Sequence, residues 1–296
     1  MKKRKGLIIG LIIFLVAIIG VAIGAKRLID QKVANNEKIV ATSAAITEIF
    51  DKLNVNLAGV PKTQAKLPAR YQKVPKIGSP MKPSVEKIAS LNPTRVYAVS
   101  TLKDQYDQSF KEQGVKVTYL KLDSVADLEA TLSSLGKQYY RQRQADYQIG
   151  LIKKAVKKAK ARVHGRKPRV LILMGLPGAN YMILTNRSYL GDLVRIAGGE
   201  NIYHSDSQIY LSPSNDSLAT KNPDVILRLE HALPNVTLPQ FKQEFKKNSV
   251  WKTMKAVKTG RVYDLRQPDF NASANMNVSQ ALNKLSNWLY PGKRSK

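Results

Sequence analysis

The sequence contains no cysteine. That absence excludes disulfide bonds, thiolate metal sites and a cysteine nucleophile. It also excludes attachment to a membrane through a lipid-modified cysteine. Acidic residues are few, with 21 Asp and Glu against 49 Lys and Arg, and the formal net charge is +28. With 296 residues, of which 43% are hydrophobic, the chain can still form one large α/β unit or two lobes.

The positive charge is distributed along the chain rather than gathered into one patch. A protein that reads nucleic acid needs a concentrated basic surface with aromatic side chains for stacking. The densest basic run, 153–169, has lysines at helical spacing and few aromatic residues, which is typical of a solvated helix face. We therefore predict no nucleic-acid partner. Anionic membranes and anionic cell walls are the partners that suit this charge.

The N-terminus has the pattern of a membrane segment. A basic cap at 1–5 precedes 7–25, which holds 19 residues without one charged or polar side chain. A helix of that length crosses a hydrocarbon core of about 30 Å, and the basic cap stays on the inner side. We predict an anchor at 1–25, a polar spacer at 26–37 and an exported domain on the outer face of the cell membrane. A signal peptide cleaved near 22–24 is the alternative, and it would release the domain.

The exported part has the pattern of two α/β lobes separated by a helix. A helical pattern at 124–135 ends at Gly136, and an uninterrupted second one covers 137–163, about 40 Å at the rise of an α-helix. We predict an N-terminal lobe at 38–136, a bridging helix at 137–163 and a C-terminal lobe at 164–296. The first predicted helix starts at an N-cap, Thr42 or Ser43. Further helices are predicted at 84–91, 189–197, 238–245, 250–254 and 278–289. The predicted strands are 38–41, 55–60, 95–100, 115–119, 169–174, 225–229 and 261–264.

One short pattern occurs once in each predicted lobe. Segments 86–93 and 216–223 both run from an acidic residue through an apolar residue, an alanine and a hydroxyl residue to Asn-Pro, and a strand pattern follows each. A proline after a helix is common, so one such joint means little. Its occurrence on both sides of the bridging helix favours a duplicated architecture with a cleft between the lobes.

This arrangement resembles the helical-backbone class (class III) of ABC-transporter solute-binding proteins, whose members bind ferric siderophores, cobalamin or haem. The resemblance implies two Rossmann-like lobes joined by one long backbone helix. Five segments are similar to the haem-binding lipoprotein family of the iron-regulated surface determinant system, although the lipid-modified cysteine of that family is replaced here by the apolar N-terminal segment. The segments are 76–81, 173–178, 188–193, 197–199 and 224–228, the last leading to His231.

The resemblance places haem b, as the transported ligand, between Met81 and His231, one from each lobe. A thioether and an imidazole fill both axial positions of the iron, which leaves no open position for oxygen chemistry. Such a site suits carriage, so we predict the haem-binding component of an ABC importer and no enzyme. Met81 follows Pro80 in a turn. Taken alone, a methionine is more often a packing residue, and a loop histidine is more often structural or solvated.

The resemblance also implies contacts for the rest of the haem and for the transporter. Propionates are expected at the start of the first helix and at the loop after the second strand pattern, where backbone amides and hydroxyls can donate. A loop after the Leu-Pro-Gly turn is expected to wall the porphyrin, and an acidic residue on each lobe to dock onto permease arginines. Haem-donor proteins at the cell surface are the implied upstream partners. The residues are Thr42, Ser43, Ala44, Ala45, Thr63 and Gln64 for propionates, Tyr181 and Met182 for the walls, and Glu86 and Asp216 for the permease.

Two alternatives stay open from the residues alone. A ferric siderophore or cobalamin suits the same fold, although siderophore sites usually rely on several Arg and Tyr side chains. A charge-driven cell-wall adhesion module would lose its binding in high salt. An enzyme is not favoured, because the sequence lacks a nucleophile elbow, a phosphate loop and a close carboxylate pair with a histidine. His164 and His204 lie in polar stretches and are expected to be solvated.

Overall fold

The computed structural model describes residues 36–176, 181–230 and 234–292. Four predicted features lie wholly or partly outside these ranges: the anchor at 1–25, most of the spacer at 26–37, part of the Leu-Pro-Gly turn at 177–178, and His231. Within the ranges, no helix is both long enough and apolar enough to cross a bilayer. The described chain alternates helices and strands and has one main sheet in each lobe, so the predicted mixed α/β class is confirmed.

The N-terminal lobe is built on a parallel sheet with the strand order β1-β4-β5. Two extended segments continue this sheet beyond β1 through parallel bridges, which join Val40 to Gly59 and Val60 to Lys76. The remaining strands form a small antiparallel hairpin, β2–β3. The elements are β1 Ile39–Ala41, α1 Ala44–Lys52, β2 Gly78–Ser79, β3 Lys82–Pro83, α2 Val85–Ser90, β4 Arg95–Val99, α3 Lys103–Glu112 and β5 Val117–Leu120.

The C-terminal lobe has a mixed sheet with the order β11-β10-β6-β7-β9, and β8 also pairs with β6. Strands β6, β10 and β11 are parallel, and β7 runs antiparallel to β6. Strands β6 and β10 are buried over nearly their whole length, as expected for a sheet covered on both faces. The elements are β6 Arg169–Gly175, β7 Tyr181–Leu184, α6 Tyr189–Ile196, β8 Glu200–Asn201, β9 Tyr210–Leu211, α7 Asn215–Thr220, β10 Val225–Glu230, α8 Pro234–Lys247, α9 Ser249–Thr253, α10 Lys255–Lys258, β11 Val262–Leu265 and α11 Val278–Leu289.

The helix that bridges the lobes is shorter than the predicted range 137–163. Helix α4 (Val125–Gln138) continues through Gly136, and α5 (Gln142–Lys160) starts after a break at Tyr140, whose φ is +56°. With 19 residues, α5 is about 28 Å long and not 40 Å. Gly136 was expected to end this helix and does not, since the helix runs to Gln138. A Cβ at Gly136 would lie 2.6 Å from Ala145 Cβ of α5. This glycine instead allows the two helices to approach each other closely.

One hydrophobic core runs through both lobes. Helix α5 packs against α1 and α4 of the first lobe and against α6 and α11 of the second. Apolar side chains from all these helices and from the central strands are buried together, and this core holds the lobes together on one side of the molecule. Representative members are Ile39, Phe50, Leu132, Ile152, Ile172, Leu193 and Leu285.

Candidate ligand-binding cleft

Four chain segments of the N-terminal lobe end at one edge of its sheet. The bridged segments run parallel to β1 and β4, since Ala41 N donates to Gly59 O and Ile77 N donates to Val60 O, both at 3.0 Å. The carboxyl ends of parallel strands share an edge, and α/β folds place ligands there. The residues that follow the four ends are Thr42, Pro61, Gly78 and Ser100.

Met81 lies in the turn of the β2–β3 hairpin, which follows Ile77 at this edge. Two side chains of α3 hold the turn, because Gln105 Nε2 donates to Met81 O at 2.9 Å and Tyr106 Oη donates to Pro80 O. Met81 itself is 43% exposed. An exposed thioether on an anchored turn is therefore available to a ligand at the edge.

The expected propionate residues at the start of α1 also lie at this edge. Thr42 is buried, and its N–H donates to a carbonyl of β4. Ser43 is the N-cap of α1, and its hydroxyl accepts from Ile46 N at 3.3 Å. Ala44 and Ala45 belong to the first turn, whose amides have no acceptor within the helix. The donors at this point are therefore backbone amides at the positive end of the helix dipole.

The loop at 61–64 lies beside the Met81 turn. Lys62 N donates to Gly78 O at 2.8 Å, which joins the loop to the first residue of the hairpin. Thr63 Oγ1 accepts from Ala65 N at 3.1 Å, so this hydroxyl takes part in a local turn, and Gln64 is exposed. The structure thus brings the second expected propionate loop next to the expected methionine ligand.

In the C-terminal lobe, β10 ends at Glu230, directly before His231, which lies outside the described residues. Glu230 is in register with Gly175 of β6. Arg266 Nε lies 3.1 Å from Glu230 Oε1, as an ion pair without hydrogen-bond alignment. Burial raises the pKa of Glu230, and Arg266 opposes that rise. The carboxyl edge of this sheet therefore carries a buried acid and an exposed arginine.

Tyr181 and Met182 belong to strand β7 and not to a loop. Neighbouring residues of a strand point to opposite faces. Tyr181 is buried against Trp251, with ring centroids 5.6 Å apart, and this burial raises its pKa. Met182 packs against the core that the lobes share. The two side chains expected to wall the porphyrin therefore do not share one surface.

Segments that follow the carboxyl ends of both sheets meet each other. Ala274 N, after β11, donates to Leu122 O, after β5, at 2.8 Å. Val125 N, the first residue of α4, donates to Asp192 Oδ2 of α6, also at 2.8 Å. The first contact joins segments that follow the carboxyl ends of parallel strands in both lobes, so these ends of the two sheets face each other across the joint. The residues at the edges therefore border a cleft between the lobes.

A half-buried carboxyl group crosses the same joint. Glu48 of α1 accepts from Met276 N and from Asn277 Nδ2, each at 3.4 Å. Burial raises the pKa of Glu48 to about 7, against the opposing effect of the bond from Met276. The joint thus contains a group that titrates near neutral pH.

Glu86 and Asp216 occupy equivalent places in the two lobes. Each lies exposed in the first turn of a short helix, α2 or α7. Ser84 and Ser214 cap these helices through their hydroxyls, and each helix leads into a parallel strand, β4 or β10. The helix–strand unit read from the sequence is therefore present in both lobes.

The other two histidines lie at the surface. His164 and His204 are both exposed, and His164 Nδ1 contacts Arg162 O at 2.7 Å. Among the residues that the structure describes, no group of three or more His, Cys, Asp or Glu side chains could hold a metal ion. A site for a bare metal ion is therefore not found in this part of the chain.

Comparison with known proteins identifies the fold family. The periplasmic binding protein family matches residues 39–268. The chain belongs to this family. The resemblance to helical-backbone solute-binding proteins is thereby confirmed, and it extends to individual relatives.

Relatives of this periplasmic binding protein include the high-affinity heme uptake system protein IsdE of Staphylococcus aureus, which is 39% identical over 260 residues, 87% of this chain and 88% of the relative. The crystal structure of S. aureus IsdE complexed with heme matches with a TM-score of 0.83 at 38% identity, over 86% of this chain and 99% of that one. An ABC transporter substrate-binding protein from Listeria monocytogenes matches with a TM-score of 0.79 at 38% identity, with the same coverage.

Sequence reasoning missed three residues that support the cleft. Gln105 and Tyr106 hold the Met81 turn, but they lie in a mostly polar helix that carries no strong pattern. Arg266 follows the strand predicted at 261–264. It could have been found by examining every residue after a strand end, since parallel strands place those residues at one edge.

Proposed function

We propose that this periplasmic binding protein is the haem-binding component of an ABC importer. One observation carries the proposal: an exposed thioether, Met81, is held on an anchored turn at the cleft edge. The S. aureus relative is a heme uptake protein, and its matching structure is complexed with heme. Carriage needs no reacting group, and the relatives are binding proteins of transport systems rather than enzymes.

In this proposal, the haem iron is held between Met81 and His231, which come from opposite lobes. The amides of Ala44 and Ala45 receive one propionate at the start of α1, where the helix dipole favours an anion. The loop that carries Thr63 and Gln64 receives the other propionate, because it adjoins the Met81 turn. Of the two residues expected as walls, the half-buried Met182 contributes to the pocket, whereas Tyr181 packs against Trp251 on the other face of β7.

Delivery is proposed to use the acidic residues of the two short helices. Glu86 and Asp216 are exposed at equivalent positions and are available to arginines of a permease. The apolar segment 7–25 anchors the chain, and the binding domain lies on the outer face of the cell membrane, where surface proteins supply haem. If the segment is cleaved, the same domain is released.

The test is a haemin titration of residues 36–296, followed by absorption spectroscopy. The parent is expected to give a six-coordinate, low-spin spectrum at one haem per chain. Met81→Ala and His231→Ala are each expected to convert it to a weaker or high-spin form. Met81→Leu separates ligation from packing, because leucine keeps the volume and lacks the sulfur. His204→Ala, at an exposed position, is the matched control.

Two results would change the assignment. If the Met81→Leu variant kept the low-spin spectrum, Met81 would not be a ligand of the iron. A parent without a stoichiometric haem spectrum would instead point to a ferric siderophore or cobalamin, with the same fold and different contacts.

A further inference from the structure

A groove of about 550 Å³ lies behind the joint of the two lobes. It is bounded by the end of α1, by α5 and by α11. Helix α1 begins at the cleft edge and ends at Lys52, about 13 Å away, so the groove is separate from the cleft. None of the described residues that line it is acidic. The polar lining residues that matter here are Lys52, Lys154, Lys158, Asn277, Gln280 and Asn283.

The rim of the groove carries apolar side chains that face water. Tyr147 is 64% exposed and Leu151 is 42% exposed. Together with Lys154 and Lys158 they follow the spacing of one helix face, so α5 presents an aromatic ring, a leucine and two lysines in a row. This combination is typical of helices that lie at a lipid–water interface, where lysine stems run along apolar surface and the ammonium groups meet phosphates.

The point at which the chain enters the folded part lies at the start of α5. Glu37 accepts from Arg95 Nε at 2.8 Å and from Tyr139 Oη at 3.2 Å, and Tyr139 directly precedes the break before α5. The proposed anchor ends at Ala25, so a fully extended spacer reaches about 40 Å at most. The whole of α5 is shorter than that. Its exposed face is therefore always within reach of the bilayer.

We propose that this groove and the exposed face of α5 bind anionic phospholipid headgroups of the membrane that anchors the chain. Lys52, Lys154 and Lys158 meet the lipid phosphates, and the amide side chains of α11 serve the headgroup hydroxyls. Tyr147 and Leu151 enter the boundary of the acyl chains. A water-soluble wall polymer would offer nothing to these two side chains, and a nucleic acid would need more stacking rings than one.

This contact gives the molecule a defined resting orientation. Helix α5 lies on the side where one core joins the lobes, so a molecule resting on α5 keeps its cleft open to the outside. The lipid contact rests on the proposed anchor, but it is independent of haem binding.

The experiment uses the full chain reconstituted into vesicles of neutral phosphatidylcholine, alone or with about one third phosphatidylglycerol. Because the chain has no cysteine, Leu151→Cys can carry a single environment-sensitive dye at an exposed position. Its emission is expected to shift to the blue, and brominated lipid to quench it, only in the anionic vesicles. The same dye on Thr118→Cys, exposed on β5, is expected to stay in water in both.

Charge-reversal variants distinguish the effect of the groove lysines from the effect of the net charge of the protein. Lys154→Glu with Lys158→Glu is expected to weaken the dye response at least about tenfold, since each lysine near an anionic surface contributes to binding. Lys242→Glu with Lys246→Glu, exposed on α8, has the same spacing and charge change and should leave the response intact. Equal responses in neutral and anionic vesicles, or equal losses in the two paired variants, would overturn the proposal. If the chain does not float with neutral vesicles in a density gradient, the proposed anchor is wrong. The lipid contact is then still tested by the emission of the dye in anionic vesicles.

Discussion

Among single residues, Gly78 decides whether the hairpin that carries Met81 can form. Its φ of +98° favours glycine, and a Cβ would lie 2.7 Å from Ser84 N and 2.9 Å from Lys82 O. We expect Gly78→Ala to lower the free energy of unfolding by about 1–3 kcal/mol. It should also weaken haem binding, because the turn that holds Met81 has to shift. Urea unfolding and haemin titration of the same variant measure the two effects.

Gly114→Ala is the matched control for that prediction. Gly114 also has a positive φ, +65°, but nothing lies within 4 Å of a Cβ built there. We expect a cost of about 1 kcal/mol from the backbone conformation alone and an unchanged haem affinity. If both variants lost haem affinity equally, general destabilisation would explain the loss, and the link between Gly78 and the Met81 turn would be wrong.

The carboxyl group of Glu48 is expected to make stability depend on pH. Burial raises its folded pKa to about 7 from 4.5, so the folded state binds this proton more tightly than the unfolded state. The stabilisation is fully present below the unfolded pKa and is lost as the pH rises through about 7, by up to about 3 kcal/mol. We expect Glu48→Gln to be more stable than the parent above pH 7 and to show a flatter pH profile. Chemical unfolding between pH 5 and pH 8 measures both.

Other carboxyl groups leave a residual slope in that experiment. Burial also raises the pKa values of Asp123 and Glu230, so the profile of Glu48→Gln becomes flatter without becoming flat. Parallel profiles of the parent and the variant would mean that Glu48 does not carry the dependence.

At the residue scale, the sequence predicts the positions that depend on local chemistry. Thr42 or Ser43 is expected as an N-cap and Ser43 is one, and Met81 is expected in a turn after Pro80 and lies in one. The support of that turn by Gln105 and Tyr106 has no local signal, because the hydrogen-bonded residues are 24 and 26 positions apart. The role of each residue toward haem stays a prediction.

At the scale of elements, helices α4 and α5 each contain a glycine, and the space available for a side chain differs between the two. Gly136 of α4 faces Ala145 of α5 too closely for a Cβ, whereas Gly150 of α5 has open space around it. We expect Gly136→Ala to lower the free energy of unfolding by about 1–3 kcal/mol, because α4 and α5 are pushed apart. Gly150→Ala should raise it by about 0.5–1 kcal/mol through helix propensity. Urea unfolding of both variants in one buffer checks the opposite signs, and a stabilised Gly136→Ala would contradict the close helix contact.

The elements that the sequence predicts well are those with a long periodic pattern. Helix α11 has the predicted bounds, 278–289, and the buried strands β6 and β10 differ from prediction by one residue. The break between α4 and α5 was predicted at Gly136 and lies at 139–141, a stretch that holds no glycine or proline. There, Arg141 N donates to Gly136 O while Tyr140 takes a positive φ, and the close packing of the helices imposes this geometry. The two-residue strands of the hairpin are too short to show alternation.

At the scale of the whole molecule, the joint combines apolar burial with specific hydrogen bonds. Contacts such as Leu122 O with Ala274 N and Asp192 with Val125 N join residues that are far apart in the chain. No sequence pattern predicts such pairs, whereas net charge and the absence of cysteine can be read directly from the sequence. The lobes cannot separate on this side without exposing their shared core to water, which costs roughly 25 cal/mol for each Å² of apolar surface.

We therefore expect haem to change the distance between the lobes only slightly. The radius of gyration of the described part, about 18 Å for a chain of this size, should change by less than about 1 Å when haemin binds. Small-angle X-ray scattering of residues 36–296 with and without haemin measures this. Glu48→Ala with Asp192→Ala removes two acceptors of the joint and is expected to give a larger change, because the lobes are then held by apolar contacts alone. A contraction of several Å in the parent would mean that the shared core opens as a hinge, and release of haem would then need no force from the permease.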